Sequence, residues 1–597
     1  MKNRFSILLS AAILCVSGCN DDFLNVDPQD RYSEAAVWKD PAYVQSFVNG
    51  IYTGIPFPFG TLMLSSAVDE SMAVWDWETS QITLGNVSPS YYASFDANFW
   101  TGTLRDMVWN QMYKNVRACN LFFEKIDGVP FTDDDQKNYL IGQVTFLRAY
   151  FYHQLVSFYG GVPLITKAYD VDDDFSIARS SYSDCIDFIV AELDKAATLL
   201  ENSDNKAYAT KGAALALKSR VLLYSASDLY NTNASWTGGY AHPELVSHTS
   251  GTRDQRWVAA RDAAQAVIDL GSYSLYGGEN PASAQVATDN FVGLFLNNGS
   301  EEDIFLQFFD ITHATEWNVP HPGLFNGPNG WHNWGGNTPV GQLVDDFEMI
   351  NGDKFDWTNP VHSANPYQNR DPRLYATVLH EGSLWRERPS DVVAADRIGM
   401  IQVGNYKRAD NTIVPGLDTR SGPIEDWNGS YTGYYLKKFI DPSIDHQFNK
   451  QEWPFRRIRY AEIILNLVEA SIELGDEATA KTWLNKIRSR AGMPPVTDTG
   501  DQLRQRYRNE RRVELAYEEH RFYDVRRWMI APSAYQNGRG VFVNGDISAN
   551  NIISNRTYAV NPSAQQRAWA TSNAFYFFPI RLDEINKNSL LVQNPKY

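Results

Sequence analysis

Few residue patterns in this chain have the types and spacing that a reaction would need. His380-Glu381 lacks the second histidine that a zinc-protease helix places four residues after the first. No glycine-rich loop closes on Gly-Lys-Ser/Thr, and no Gly-x-Ser-x-Gly elbow presents a nucleophilic serine. Asp170, Asp172 and Asp174 begin like a calcium loop, but Phe175 stands where that loop needs glycine and Ser181 where it needs a bidentate glutamate. Carboxylate pairs for glycoside hydrolysis stay open, because 71 acidic residues offer many. The sequence therefore predicts no catalytic residue, no metal site and no cofactor.

Aromatic residues carry more information. There are 17 Trp and 32 Tyr, and several lie in sequence without helical period. Trp75, Trp77, Tyr91 and Tyr92 fall in one such stretch, and Trp317, Trp331 and Trp334 in another that is rich in Gly, Pro and Asn. Flat aromatic faces pack against the apolar C–H faces of sugars and lose little side-chain entropy in doing so. Asn326, Asn329, Asn333 and Asn337 stand beside the second cluster as candidate hydroxyl partners. The competing reading is that these indoles and amides pin long loops to the body. The ligand contacts predicted are Trp75, Trp77, Tyr91, Trp317, Trp331 and Trp334, gathered on one shallow platform.

The elements that must position them are helices. Apolar residues recur at three- and four-residue spacing in four expected pairs. Val44–Ile51 pairs with Met112–Ile126, Leu147–Phe158 with Ile186–Leu200, Ala213–Tyr224 with Ala259–Leu270, and Tyr460–Ser471 with Ala480–Ile487. Gly475-Asp476 is a helix stop within the fourth pair, which has about the length of one tetratricopeptide-like unit. Such units stack because none buries its apolar face alone. The fold class expected is mainly α, four such pairs forming a scaffold, with the ligand site in loop-rich insertions. Residues 41–272 form a first helical region with the insertion 52–104. Residues 273–597 form a second, loop-rich over 275–450 and helical over 455–530. Glu510, Glu514, Glu518, Glu519 and Asp524 alternate with Arg511, Arg512, Arg521, Arg526 and Arg527, which predicts an ion-pair lattice fixing helices together.

Lys2 and Arg4 precede an apolar run, Phe5–Val16, too short to span a bilayer. It closes on Val16-Ser17-Gly18-Cys19 and reads as a secretory signal, residues 1–18, with a bacterial lipobox. Cleavage would leave Cys19 to take the lipid that anchors the chain to a membrane, with 19–40 as linker and arm. The net charge of −18 excludes nucleic acid as a partner. Cys119 and Cys185 both fall on apolar helix faces, and pairing between them stays open.

Several stretches together resemble the SusD/RagB family of outer-membrane nutrient-binding lipoproteins. They are Phe146-Leu147-Arg148-Ala149-Tyr150-Phe151-Tyr152 running to Tyr159-Gly160-Gly161-Val162-Pro163, Phe347–Asp353 with Asp371-Pro372-Arg373-Leu374, Glu510–Leu515 with Arg521–Trp528, and the tail Gln593–Tyr597. The aspartates after Cys19 look like that group's surface-export signal. Arg581, Ser589 and Lys596 depart from the family's usual residues without touching the expected site. The resemblance implies a mainly helical fold with four tetratricopeptide-like units, and a TonB-dependent SusC-like transporter as partner at the outer membrane; with no catalytic motif found, the chain is expected to bind its ligand and not to transform it. It does not identify the ligand; the aromatic loops with adjoining amides favour an oligosaccharide, captured and delivered to that transporter, with peptide as the runner-up, and a surface hydrolase and a purely structural lipoprotein are the remaining rivals.

Overall fold

The computed structural model describes residues 34–55, 58–75, 79–90, 109–170, 172–309 and 321–597. The signal segment, Cys19, Trp77, Tyr91 and Trp317 lie outside the described residues.

The scaffold begins with α1 (Pro41–Tyr52), α2 (Trp109–Lys125), α3 (Asp134–Tyr159), α4 (Tyr182–Leu199), α5 (Lys211–Ala226) and α6 (Arg253–Ile268). After α7 (Ala284–Phe295) it resumes with α8 (Tyr460–Glu473), α9 (Glu477–Arg490), α10 (Gly500–Glu514) and the short α11 (Arg521–Arg527). Caps written in the sequence start these helices. The side chains of Asp40, Asp133, Ser181, Thr210 and Thr252 each accept a backbone N–H of the first turn. Gly475, at φ +79°, ends the turn between α8 and α9, and Asp476 caps α9 through Thr479 N at 3.1 Å.

Three of the expected pairs form as α3–α4, α5–α6 and α8–α9, and they stack: α4 on α5, and α6 on α8. The first pair needs correction. Helix α1 packs mainly on α3, and so does α2, which a single 3-10 turn at Ile126–Gly128 connects to it. A short connection makes antiparallel neighbours, whereas residues 53–108 separate α1 from α2. Helix α3 is therefore flanked on several sides and is buried nearly all round from Leu140 onward. Cys119 and Cys185 are buried free thiols, not joined by a disulfide. Among the described residues no helix is long and apolar enough to cross a membrane.

A second core forms around α7, where Phe59, Phe291, Phe295, Phe439 and Phe455 meet. Its strands are short: β1 (Ser71–Ala73), β2 (Asp303–Gln307), β3 (Asn337–Pro339), β4 (Asn405–Lys407), β5 (Ile413–Pro415) and β6 (Phe455–Arg459). The exception is a hairpin that helical periodicity did not predict, β7 (Gly538–Ile547) with β8 (Ile553–Gln565). It joins β4 and β5 in a sheet of order β8-β7-β4-β5.

Charged side chains weld the two cores together. Glu510, Glu514 and Glu518 reach Arg373, Arg488, Arg459 and Arg490 rather than the arginines beside them in sequence. Arg511 and Arg527 share Asp524, at 2.9 and 2.8 Å, while Arg512 and Arg521 converge on Asp69, both at 2.8 Å. Arg526 departs from the expected lattice. Its guanidinium lies 3.6 Å over the Phe522 ring and donates to the Tyr535 hydroxyl.

Beside Asp69, the buried Glu70 has one oxygen 3.3 Å from Tyr517 N and the other without a hydrogen-bond partner among the described residues. Burial pushes its carboxyl up to about 8, against the pull of Arg512. The folded chain thus holds a proton that the unfolded chain releases near 4.5, so stability falls as pH rises from there to about 8. Glu70→Gln, which keeps the neutral shape, should match the parent near the lower end of that window. It should gain on it by up to about 1.4 kcal/mol per pH unit through the window. Urea melts across the range check this; a difference that does not vary with pH would refute it.

Candidate functional site

Two insertions far apart in sequence are stitched together by β1 and β3. The register is antiparallel, Ser71 opposite Pro339, Met72 opposite Thr338 and Ala73 opposite Asn337. Val74 N then donates to Gly336 O at 2.7 Å, which carries Trp75 alongside Trp334. The two indoles meet edge to face, with centroids 5.7 Å apart and planes at 83°. Phe325 flanks Trp334 at 5.2 Å. A side chain at Gly336 would strike Phe325 O and crowd Trp75, so the close approach requires glycine. Both indoles are half-buried, leaving part of each ring at the surface.

Asn337 ties the junction. Its Oδ1 accepts from Met63 N (3.0 Å) and Ser66 Oγ (2.7 Å), and its Nδ2 donates to Thr61 O (2.9 Å) and Asn326 Oδ1 (2.8 Å). Asn326, Asn329, Asn333 and Asn337 are all buried. Their expected role as ligand partners is corrected. A loop crossing the interior carries backbone groups that need partners, and Asn326, Asn329 and Asn337 supply them.

Trp331 also needs correction. It is 1% exposed, its Nε1 donates to Glu387 O at 2.9 Å, and the Arg388 guanidinium lies 3.6 Å over its ring. Arg388 is fixed in turn by Asp396 (2.9 Å) and Asp418 (2.8 Å). Trp331 therefore offers no face to a ligand. Trp75 and Trp334 are the predicted contacts that the described residues bring together.

A third segment, missed by the sequence reading, closes the rim. The Tyr435 hydroxyl lies 2.6 Å from both Asn329 Oδ1 and Asp418 O, and Ser430 N donates to it at 3.1 Å. Gly429 N donates to Trp334 O at 3.3 Å. Two residues to either side stand Trp427, 63% exposed, and Tyr431, 43% exposed with the Arg420 guanidinium 4.3 Å over its ring. The signal was available: Asp426-Trp427-Asn428-Gly429 repeats the Trp-with-Asn/Gly composition of residues 329–335. On the polar edge, His332 Nε2 lies 3.0 Å from Asp391. The part-exposed Trp75 and Trp334 thus join a segment that carries the exposed Trp427 and Tyr431, with His332 and Asp391 as nearby polar groups. Among the described residues, no group of three or more His, Cys, Asp or Glu is placed to hold a metal.

Comparisons with known proteins agree with this architecture. The SusD family model matches residues 301–597, and a second, described as starch-binding associating with outer membrane, matches residues 22–223. A SusD-like protein of Formosa agariphila is 23% identical over 541 residues, which is 88% of this chain and 90% of that protein. The crystal structure of a SusD-like protein from Bacteroides fragilis superimposes with a TM-score of 0.73 at 29% identity, covering 96% of this chain and all of the other. A second Bacteroides fragilis structure, a SusD-like carbohydrate binding protein, gives a TM-score of 0.67 at 20% identity over 93% of this chain and all of that one.

Proposed function

The chain belongs to the SusD/RagB family, and from that premise we propose that it is a cell-surface lipoprotein that captures an oligosaccharide on the Trp75–Trp334 platform. It passes the sugar, unaltered, to a TonB-dependent transporter of the SusC type. The observation that carries the ligand assignment is the edge-to-face contact of Trp75 with Trp334, two part-exposed indoles supplied by separate insertions. Starch-binding in the description of the matched family, and carbohydrate binding in the second Bacteroides fragilis protein, support sugar over peptide.

Calorimetric titration of the chain lacking residues 1–19 against neutral oligosaccharides and against short peptides tests the ligand class. The proposal predicts saturable sugar binding, with the sugar recovered intact by chromatography. Peptide binding without sugar binding would replace it, and turnover by homogeneous protein would make it a hydrolase.

Anchoring rests on Val16-Ser17-Gly18-Cys19. Cys19→Ala is expected to give a folded protein that no longer partitions with membranes and takes up no labelled fatty acid. Retention of label by this variant would contradict the lipid assignment.

A further inference from the structure

A second cleft lies apart from the aromatic platform, between the loop following Gly341–Asp346, helix α10 and the segment after α11. Its volume is about 720 Å³, within the range of about 300–1,000 Å³ usual for small-molecule sites. Most charges around it are matched within the protein. Arg539 pairs with Asp345 at 2.7 Å, and Trp357 Nε1 donates to the same carboxylate at 2.9 Å. Arg512 is shared between Asp69 and Asp346, at 2.8 and 3.1 Å, and Arg488 and Arg506 hold Glu348.

Arg508 differs from these. Its side chain is 17% exposed and its guanidinium lies 4.9 Å over the Trp528 ring. Its ion-pair partner among the described residues is Asp228 at 3.8 Å, a carboxylate that Arg253 already holds at 2.5 Å. A hydrogen-bonded guanidinium–carboxylate pair sits at about 2.7–2.9 Å, so at 3.8 Å Arg508, which lines the cleft, is held in no such short pair among the described residues. Burial accordingly pulls its pKa below the usual arginine value. Lys354, exposed on the same lining, adds a second cation, and Gln505 and Asn509 add amides. The half-exposed Trp357 contributes an aromatic surface.

We infer that this cleft is a second ligand site, for a saccharide unit bearing a single carboxylate. The carboxylate pairs with Arg508 and Lys354, and the sugar ring packs on Trp357. The planar guanidinium fork matches the two oxygens of a carboxylate. Asp345, Asp346, Glu348 and Asp356, which line the same cleft, disfavour a multiply charged anion. The inference does not depend on the Trp75–Trp334 platform.

Calorimetry with the chain lacking residues 1–19 tests it, using a galacto-oligosaccharide that carries one terminal galacturonate against the neutral galacto-oligosaccharide of equal length and against one bearing several sulfates. Uronide binding should exceed that of both, and weaken as salt rises. Arg508→Gln should weaken it on the order of tenfold or more, the loss of a charged hydrogen bond. Lys354→Gln, at an exposed position that does not threaten folding, should weaken it by a smaller factor. Trp334→Ala should leave uronide binding intact, which separates this site from the platform. Several outcomes overturn the inference: no uronide binding, equal binding of the neutral or sulfated sugar, indifference to both cation variants, acidic peptides bound in place of uronide, or loss of uronide binding in Trp334→Ala.

Discussion

Glu514→Ala is expected to cost roughly 3–5 kcal/mol of stability, because breaking a buried ion pair from one side leaves the other charge uncompensated. Glu514 is fully buried, and three guanidinium groups meet on it. Arg373 approaches one oxygen at 2.9 Å and Arg459 the other at 2.7 Å, with Arg490 hydrogen-bonded to that same oxygen. The Arg459 Nη2 also donates to the Glu514 carbonyl at 2.8 Å. Against the opposing effect of burial, Arg490, Arg459 and Arg373 hold the carboxyl well below its ordinary range.

These arginines arrive from different parts of the chain. Arg459 ends β6, Arg490 ends α9, and Arg373 lies in the first turn of the short helix Pro372–Thr377, so the carboxylate joins the helical stack to the second core. Total stabilities of about 5–15 kcal/mol make such a loss a large fraction of the whole. The depressed pKa sets the pH dependence. This contribution is complete above the unfolded carboxylate value of about 4.5 and disappears as pH falls through the folded value. Glu477→Ala is the contrasting case. Glu477 faces Lys481 at 3.4 Å on the surface of α9 and accepts from Gly500 N at 2.7 Å, exposed contacts whose loss leaves no charge buried and costs far less. Denaturant melts of the two variants side by side should therefore separate widely; equal, small losses would show that the buried network does not hold the cores together.

The scaffold was legible where local rules decide. Tyr460–Ser471 and Ala480–Ile487 alternate at helical spacing around Gly475-Asp476, and both helices form where that pattern puts them. The order of packing was less legible, because α2 has its short connection to α3 and its long one to α1. The β7–β8 hairpin escaped because its exposed face is largely polar, which breaks up the apolar pattern that a periodicity search follows. Partners in the ion network were hidden for a different reason. Asp69 precedes Arg512 and Arg521 by most of the chain, and charge pairing has no period.

At the site, the two insertions were identifiable from composition, but single side chains were not. Trp331 and Trp334 stand three residues apart in the same Asn/Gly-rich loop. One lies under Arg388 and the other beside Trp75, and the difference depends on residues distant in sequence.

That difference gives the most direct test of the platform. Stacking a ligand ring on an exposed indole contributes on the order of 1–3 kcal/mol, by analogy with base–aromatic stacking, and each 1.4 kcal/mol is about tenfold in affinity. Trp334→Ala should weaken oligosaccharide binding from several-fold to about a hundredfold, and Trp75→Ala should act in the same direction. Trp75→Ala also loses the indole–indole contact, and Trp334→Ala loses that and its contact with Phe325, each worth about 0.5–1.5 kcal/mol, so the expected fall in melting temperature is smaller than for a buried indole. Trp331→Ala should do the reverse, costing roughly 3–5 kcal/mol of stability as a buried aromatic is truncated. The decisive measurement is a calorimetric titration of Trp334→Ala with the oligosaccharide that binds the parent chain, paired with a thermal melt. Weakened affinity in a protein that melts close to the parent is the predicted result; unchanged affinity in a stably folded Trp334→Ala would contradict the platform.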